Sequence, residues 1–477
     1  MLDGLECSEF LYSEMLQSNK THRLDSEYYG KTAMTVEEKI MGLPHFFLTP
    51  QSVVSGPFGS TLKSSAYLEK GDIPFVRIEN IRGGFHISRD NLVYISNFDN
   101  GRIANSQLQR DDVILSKVGN SIGYFARVDV ELQTCNISEN NIGIKLSRYD
   151  TKLKHTILAY LNSNYGNILI LRRRSGNAQP KLNVDDVCYI PIPSFSDDFC
   201  SVVSKLIIES DRCIQEATSI YCNSEILLLS ALNYQPVVQT QGYSEKSFSA
   251  SFGATGRLDA EYYQPKYDEL FRRLSALPTK RLKSIVNITK SIEPGSEYYG
   301  DAGIPFVRVS DVSKDGINTP SIRIPKTTVP SIENLYPKKD TILFSKDGSV
   351  GIAYKVEDNM EAVTSSALLH LTVKDAAEML PDYLTIVLNS PIVQMQAERD
   401  ASGAIIQHWK PSEIEAVQIP VLDMDIQQEI AEKVQQSFSL RRQSKQLLEN
   451  AKYAVEMAIE QGEDKAIKWL QEQCDHR

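Results

Sequence analysis

The sequence predicts an α+β protein in which two similar mixed α/β modules alternate with two long helices. A series of short motifs occurs twice in the same order, about 230 residues apart. Each copy is followed by a segment with the seven-residue apolar spacing of a coiled coil. At 477 residues, the chain is also longer than one hydrophobic core usually extends. We therefore expect two similar modules with a pseudo-twofold relation, separated by two long helices that form an antiparallel coiled coil.

The internal repeat is long and collinear. Residues 23–29 (RLDSEYY) return as residues 257–263 (RLDAEYY) with six of seven residues identical, and residues 73–81 return as residues 304–312. Further pairs follow in the same order: 114–119 with 343–348, 161–163 with 388–390, 175–176 with 402–403, and 192–193 with 419–420. The offset falls from 234 to 227, as small loop deletions in a duplicated module would cause. Chance similarity would not keep this order, so we infer a duplication.

Each copy contains short runs of β-branched and apolar residues separated by turns, and a predicted helix follows them. In the first copy the strands are predicted at IPFVRIENI, DDVILSK and NIGIKLS, and the helix at HTILAYLNSN. The sequence divides accordingly into an N-terminal segment (1–30), a first module (31–196), a first long helix (197–233), a linker (234–256), a second module (257–423), and a second long helix with a C-terminal tail (424–477).

Both long helices carry an apolar seam. The seam residues are Ile207, Ile214, Tyr221 and Leu228 in the first helix, and Ile430, Val434, Leu448, Val455 and Ile459 in the second, which we expect to run from about 425 towards 470. Ser210 and Ser224 interrupt the first seam with small side chains. The two helices are natural partners for an antiparallel pair, and about 35 helical residues span about 50 Å. An ordinary bundle inside one domain is the alternative.

The charge balance at first argues against a nucleic-acid ligand, because 61 acidic residues outnumber 51 basic ones. Residues 1–30, 197–233 and 424–477 carry net charges of -4, -4 and -2, however, which account for the whole net charge of -10. The acidity therefore belongs mainly to the predicted helices. No apolar run reaches the roughly 20 residues that cross a bilayer, and no leader pattern is present, so we expect a cytoplasmic protein. Seven cysteines without a C-x-x-C pair predict neither disulfides nor a zinc site.

The order of module, long helix, module and long helix resembles the specificity (S) subunit of type I restriction-modification systems over nearly the whole chain. The motifs that carry the resemblance are the module openings (71–77 and 302–308), the Asp-x-Ile-Leu stretches before a Ser-Lys and glycine turn (112–119 and 340–348), and a Ser-Gly segment followed by Ile-Pro. Residues 419–430 are similar to the family's entry into its helix, whereas residues 194–199 of the first exit depart from it.

The resemblance implies a non-catalytic subunit that confers DNA specificity. Each module would be a target-recognition domain that reads one half of an interrupted double-stranded DNA site. The implied partners are two methyltransferase (M) subunits and restriction/translocase (R) subunits, and S-adenosylmethionine would bind the methyltransferase rather than this chain. Two other functions stay open: the recognition subunit of another DNA-modification or phage-defence system, and a coiled-coil scaffold with two protein-binding modules.

Sequence-specific DNA binding requires polar groups directed at base edges and cations on phosphates. In the first module, the loop after the predicted helix offers both groups, in Arg172, Arg173, Arg174, Asn177, Gln179 and Lys181. A solvated basic loop is the alternative. The counterpart in the second module keeps the turn but changes its side chains, which include Arg399, Ser402, Gln407, His408 and Lys410. The two modules repeat the same turn but differ in its polar side chains. We therefore predict that they read different sequences.

Two further turns are candidates for DNA contact. The first occurs in both modules, with Lys117, Asn120 and Ser121 in one copy and Lys346 and Ser349 in the other. A plain hairpin turn with an exposed lysine would give the same pattern. The second is the loop 56–63, which ends in Lys63 and is equally consistent with a structural turn buried under Phe58.

The remaining repeated motifs favour structural roles. Arg77 and Arg308 lie inside repeated strands, which favours ion pairs over base contacts, and the RLDxEYY segments favour packing and capping. Enzyme motifs are absent from the sequence, including G-x-x-x-x-G-K-[ST], H-E-x-x-H, G-x-S-x-G and the Asn/Asp-Pro-Pro-aromatic tetrapeptide of adenine methyltransferases. Asp185 and Asp186 are adjacent, and in a strand they would point to opposite faces, so they predict no metal site.

Overall fold

The computed structural model of the protein describes residues 11–13, 15, 23–176, 179–236, 244–403 and 406–475. The chain divides into two compact units. Unit 1 contains residues 1–214 and 441–477, and unit 2 contains residues 215–440. Each unit therefore combines one module with parts of both long helices, whereas the sequence suggested that the helices form separate segments.

Unit 1 contains helices α1 to α5, the start of α6, strands β1 to β11, and the helical residues that follow Leu440. The helices are Lys31–Met41 (α1), Asn97–Arg102 (α2), Thr151–Asn162 (α3), Asn164–Arg172 (α4), Val184–Cys188 (α5) and Asp197–Ala231 (α6). The strands are His45–Phe46 (β1), Val53–Ser55 (β2), Ile73–Val76 (β3), Phe85–His86 (β4), Val93–Ile95 (β5), Leu108–Gln109 (β6), Val113–Ser116 (β7), Phe125–Arg127 (β8), Thr134–Ile137 (β9), Asn141–Ile144 (β10) and Ile192–Pro193 (β11).

Unit 1 is built on two sheets, in the orders β2-β10-β7-β8-β4 and β5-β3-β9-β6. Strands β7 and β10 are buried along their whole length, which explains their runs of apolar residues without polar alternation. The sequence sets the starts of α3 and α4. Asp150 accepts a hydrogen bond from the Leu153 amide (2.9 Å), and Ser163 accepts one from the Gly166 amide (3.3 Å), so each helix has an N-cap.

Unit 2 contains helices α7 to α12, part of α6 and of α13, and strands β12 to β22. The helices are Phe252–Thr255 (α7), Pro265–Leu274 (α8), Leu282–Ile285 (α9), Pro381–Asn389 (α10), Pro391–Asp400 (α11), Pro411–Ala416 (α12) and Met424–Gln461 (α13). The strands are Thr279–Arg281 (β12), Val286–Lys290 (β13), Ile304–Val307 (β14), Val312–Ser313 (β15), Gly316–Ile317 (β16), Arg323–Ile324 (β17), Ile342–Ser345 (β18), Ala353–Lys355 (β19), Val363–Thr364 (β20), Leu368–Val373 (β21) and Gln418–Pro420 (β22).

Strand pairing confirms the predicted duplication. The main sheets of unit 2 have the orders β13-β21-β18-β19 and β17-β14-β20. The antiparallel pair β7–β10 returns as β18–β21, and the parallel pair β3–β9 returns as β14–β20. The paired residues are Ile114 with Gly143 and Leu343 with His370 in the antiparallel pairs, and Phe75 with Asn136 and Phe306 with Val363 in the parallel pairs. The two modules therefore share one fold.

The predicted apolar seam of the long helices is buried. Ile207, Tyr221, Leu228, Ile430, Val434, Leu448, Val455 and Ile459 are buried, and Ile214 is half-buried. In unit 2, the seam residues of both helices belong to the same apolar core as residues of α10 and β18. The seam thus holds the two helices together and joins them to the module.

Serines let the two long helices approach closely. In unit 1 the hydroxyls of Ser210 and Ser444 lie 2.7 Å apart, and in unit 2 the Ser437 hydroxyl donates to the Ala217 carbonyl at 2.7 Å. Just before α6, the Ser196 amide donates to Glu463 at 3.1 Å. Because Ser196 meets a later residue than Ser210 does, α6 and α13 run in opposite directions in unit 1, as predicted.

The second long helix ends earlier than the sequence suggested. Helix α13 stops at Gln461, and a separate helix, Glu463–Asp475 (α14), follows. Gly462 between them has a φ of 95°, a left-handed conformation that glycine adopts at helix ends without steric cost. The predicted continuous helix towards residue 470 is therefore wrong, and the break places Glu463 where it bonds to Ser196.

Candidate DNA interface

Two of the predicted loops in the first module lie side by side. The Gly119 amide donates to the Pro180 carbonyl, and the Leu182 amide donates to the Lys117 carbonyl, both at 2.9 Å. The loop after α4 is closed by two backbone hydrogen bonds of 2.8 Å between Ser175 and Lys181. The turn after β7 and the loop after α4 therefore form one surface, which the sequence could not show because about 60 residues separate them.

The third predicted loop, residues 56–63, borders the same surface. The Lys117 ammonium donates to the Ser55 hydroxyl at 3.1 Å, immediately before this loop. Gly56 is required there, because a Cβ would lie 1.9 Å from the Ser138 carbonyl oxygen. Phe58 is 82% exposed, so a turn buried under this ring is the wrong alternative. We call residues 56–63, 116–121, 174–176 and 179–181 the first loop surface.

The first loop surface presents mainly cations and amides. Lys63, Arg174, Gln179 and Lys181 are exposed, and Lys117 and Ser121 are half-buried. The Ser121 hydroxyl donates to the Val118 carbonyl at 3.3 Å, so part of its hydrogen-bonding capacity serves the turn. Two predicted contacts, Asn177 and the side chain of Asn120, lie outside the described residues.

The second module repeats this arrangement at equivalent positions. The Gly348 amide donates to the Gln407 carbonyl at 2.9 Å, and the Trp409 amide donates to the Lys346 carbonyl at 2.8 Å. Two backbone hydrogen bonds, of 3.0 and 2.7 Å, join Ser402 and His408. We call residues 345–349, 402–403 and 406–410 the second loop surface.

The chemistry of the second loop surface differs from that of the first. Ser349, Ser402, Gln407, His408 and Lys410 are exposed. Asp347 accepts a hydrogen bond from the His408 imidazole at 2.9 Å and pairs with Lys346, so this carboxylate partly neutralises the surface. Amide and imidazole groups in place of arginine and lysine favour hydrogen bonds to base edges over phosphate contacts.

Arg172 and Arg173 do not belong to the first loop surface, which corrects their predicted role. Both guanidinium groups are buried and pair with Glu37 on α1. The Arg172 Nε donates to the Tyr28 carbonyl at 2.6 Å, and its guanidinium lies 4.2 Å from the centre of the Tyr28 ring. Burial lowers the pKa of Arg172 to about 10. These groups hold α1 and α4 together and cannot reach DNA.

Arg399 occupies the position equivalent to Arg172 and is corrected in the same way. Its guanidinium lies 4.2 Å from the centre of the Phe271 ring and 5.0 Å from that of Tyr262, and its Nε donates to Asp400 at 2.6 Å. This arginine is half-buried, with its side chain 20% exposed, and its guanidinium packs between α11 and the rings of Phe271 and Tyr262.

The RLDxEYY segments pack and cap, as the sequence favoured. Arg23 and Arg257 each pair with the aspartate two residues later. Arg23 also donates to the Arg172 carbonyl at 3.3 Å, and Arg257 donates to the Asp400 carbonyl at 2.8 Å. Both bonds satisfy carbonyls at a helix C-terminus, where cations are favoured.

The favoured structural role of Arg77 and Arg308 is confirmed. Arg77 pairs with Glu79 at 2.6 Å and donates to the Asn91 carbonyl at 2.7 Å, and Arg308 lies 3.7 Å from Asp311. Asp185 and Asp186 lie in α5 rather than in a strand, and burial raises the pKa of Asp186. Within the described ranges, no group of three or more His, Cys, Asp or Glu side chains could hold a metal ion.

The sequence did not reveal a set of buried charges between each module and its following helix. Arg127 on β8 pairs with Asp111 at 2.9 Å and with Asp211 on α6. The repeat contained a sequence signal for these buried charges. A basic residue interrupts an apolar strand in both copies, at Arg127 and Lys355.

Comparisons with known proteins give a match to one family model over part of the chain. Residues 277–450 match the family model described as the type I restriction modification DNA specificity domain. No curated protein matches the chain. In the part of the chain that the structure describes, no helix is long and apolar enough to cross a membrane.

Several solved structures are similar to the chain at low identity. The S subunit of a type I restriction-modification system from M. genitalium is 13% identical, with 87% of this chain and 95% of that chain covered, at a TM-score of 0.34. The HsdS subunit from Thermoanaerobacter tengcongensis is 16% identical, with 89% and 96% covered, at 0.27. A structure of an assembling type I R-M system is 16% identical, with 88% and 99% covered, at 0.28. At these TM-scores the likeness supports no detail of this chain.

Proposed function

We propose that this chain, in which residues 277–450 match the model of the type I restriction modification DNA specificity domain, reads an interrupted double-stranded DNA site with its two modules. Each module would read one half of the site with its loop surface. The chain confers specificity and takes no catalytic part. Its expected partners are two methyltransferase subunits, which would bring S-adenosylmethionine, and through them the restriction subunits. This role places the chain in the cytoplasm, where the DNA is.

One observation supports the proposal above all others. In both modules, two loops far apart in sequence join at equivalent backbone hydrogen bonds, while their exposed side chains differ. The repeated backbone hydrogen bonds place the loop side chains at equivalent positions in both modules. Because the side chains differ, the two surfaces should bind different bases. Arg174 and Lys181 suit phosphates and guanine edges, whereas Gln407 suits adenine, to which an amide can bind through two hydrogen bonds. Two such surfaces on one chain suit a site with two different halves.

An exchange of modules tests the proposal. The chain is co-expressed with its methyltransferase subunits, and residues 31–196 are replaced by the first module of another family member. We expect one half of the methylated sequence to change and the other to stay, as sequencing of methylated sites would report. The matched exchange of residues 257–423 should change the other half only. A change in both halves after either exchange would overturn the assignment of one half-site to each module.

The chain without partners provides a second measurement. The purified protein should bind no S-adenosylmethionine in calorimetry and should transfer no methyl group to DNA. Methyl transfer by the isolated chain would contradict the non-catalytic role, whereas methylation that appears only after methyltransferase subunits are added would support it.

A further inference from the structure

A buried cluster of charges links the first module to the helix that follows it. Arg127 is 1% exposed and pairs with Asp111 at 2.9 Å and with Asp211 on α6. His155 on α3 lies 3.4 Å from the same Asp111 through Nε2, and its Nδ1 lies 2.9 Å from the Ser204 hydroxyl on α6. The pKa of Asp111 falls to about 2, because hydrogen bonds and charges from His155 and Arg127 outweigh its burial. Two side chains of α6 are therefore held by a buried ionic group of the module.

The second module carries an equivalent cluster. Lys355 on β19 is buried and lies 3.1 Å from Asp382, 3.1 Å from Glu357 and 3.3 Å from Asp340. Asp382 in turn accepts a hydrogen bond of 3.0 Å from the Gln435 amide on α13. The charges again connect a strand of the module to the helix that follows it.

The two clusters occupy the same positions of the duplicated fold. The equivalent pairs are Asp111 with Asp340, Arg127 with Lys355, and His155 with Asp382. Both Asp111 and Asp340 have a positive φ, 67° and 64°, so even the unusual backbone is repeated. The two clusters differ, however, in which element supplies the carboxylate at the contact between module and helix. The helix supplies it in the first cluster, as Asp211, and the module supplies it in the second, as Asp382.

Stability alone does not explain why both modules keep such clusters. Apolar residues of similar volume often replace buried ion pairs without loss of stability, because charges are costly to remove from water. A buried ion pair tolerates little displacement, however, since its groups must keep hydrogen-bonding distance and direction. Apolar contacts tolerate sliding better. A module joined to its helix by such a group therefore has one orientation on that helix.

We propose that Arg127 and Lys355 are positioning residues that fix each module on the helix that follows it, and so set where its half-site falls along the DNA without selecting its bases. This proposal rests on the function proposed above. Loosening one cluster should let that module tilt on its helix. Sites in which the gap between the half-sequences is one base pair too long or too short would then be accepted.

The experiment uses the full chain with its methyltransferase subunits and reads the methylated sites of a random-spacer DNA library. Asp211→Asn removes the helix carboxylate of the first cluster, and Gln435→Ala removes the helix contact of the second. We expect each variant to raise methylation at non-native gaps about tenfold over wild type, with both half-sequences unchanged. Asp198→Asn is the matched control, because Asp198 is an exposed carboxylate on the same helix as Asp211.

Substitutions of the central cation separate positioning from folding. Arg127→Lys places the residue of the second cluster in the first, so we expect it to keep a single gap, whereas Arg127→Gln should broaden the gap. A lower melting temperature with an unchanged gap distribution in Asp211→Asn and Arg127→Gln would overturn the proposal, since the cluster would then serve stability alone. A change in half-site bases would also overturn it. If the wild-type complex methylated no two-part site, the proposed function itself would fail instead.

Discussion

Arg172 and Arg174 are two residues apart in one basic run and have opposite environments. Arg172 is buried against Tyr28 and Glu37, whereas Arg174 is exposed on the first loop surface. We expect Arg172→Ala to lower the free energy of unfolding of unit 1 by about 3 kcal/mol, because a buried ion pair loses one partner. Arg174→Ala should change it by no more than about 0.5 kcal/mol. Chemical denaturation of both variants measures the difference, and equal losses would contradict the assigned environments.

The same pair of substitutions separates folding from DNA binding. Arg174→Ala should weaken binding of the intact complex to its DNA and reduce the slope of log affinity against log salt by about one, because one phosphate contact is lost. Lys205→Ala is the control, since Lys205 is an exposed cation on α6 and belongs to neither loop surface. Titrations at several salt concentrations provide the measurement. An Arg174→Ala variant that binds like wild type would remove this residue from the interface.

The sequence predicted the loops that we propose for DNA contact, but it could not distinguish the environments of their side chains. The sequence alone does not distinguish three consecutive arginines. Their environments differ because α4 ends within this run. Because α4 ends at Arg172, the first two guanidinium groups turn towards Glu37 on α1 and the third leaves the helix. That partner lies more than 130 residues away, so only the folded chain reveals it. The contacts between the loops also join residues far apart in the sequence. The repeat therefore predicted the loops of each surface but not which of them lie side by side.

At the scale of elements, the buried histidine of strand β21 predicts that the stability of unit 2 falls in acid. Burial lowers the pKa of His370 from 6.5 to about 4, and the imidazole shares a hydrogen bond of 2.8 Å with Thr364. Above pH 6.5 the imidazole is neutral in both the folded and the unfolded state. Between pH 6.5 and 4 only the unfolded state binds the proton, so stability is lost as the pH falls through this window.

We expect His370→Gln to remove this part of the pH dependence. The histidine contributes a loss of about 3 kcal/mol when the pH falls from 6.5 to 4. Denaturation of unit 2 across this range should therefore show a shallower slope in the variant. His408→Gln is the control, because the His408 imidazole is 62% exposed. If both variants kept the wild-type slope, the buried imidazole would not be the source of the acid sensitivity.

The long helices show what periodicity can and cannot predict. Spacing of seven residues identified the seam, because burial on one helical face requires that spacing. It did not locate the end of α13, because the residues after Gly462 resume a helical pattern in α14. A single glycine in a helical segment is often tolerated, so Gly462 alone does not predict a helix end, although it has a positive φ in the structure.

At the scale of the whole molecule, two helices continue from one unit into the other. Helix α6 crosses the unit boundary after Ile214, and α13 crosses it after Leu440. Each unit carries its own seam contacts, Ser210 with Ser444 in unit 1 and Ala217 with Ser437 in unit 2. The residues between these contacts are helical in both α6 and α13.

This continuity predicts how the recognised DNA changes when the helices are lengthened. Four residues inserted after Ile214 and four after Leu440 add about 6 Å to each helix and leave the seam contacts on either side in place. They also turn each helix by about 40°, because 3.6 residues make one turn. B-DNA rises about 3.4 Å per base pair, so the gap between the half-sequences should grow by one or two base pairs with the half-sequences unchanged. Sequencing of methylated sites reads the gap directly.

A matched insertion in the linker tests whether the length of the helices sets the gap between the half-sequences. Four residues added between Thr240 and Gln241, in the linker, lengthen the chain equally but leave α6 and α13 as they are. This variant should keep the wild-type gap. If the linker insertion changed the gap, or if the paired helix insertion assembled with its methyltransferase subunits and kept the wild-type gap, the helices would not set the separation. The burial of their seam would then serve only to hold each unit together.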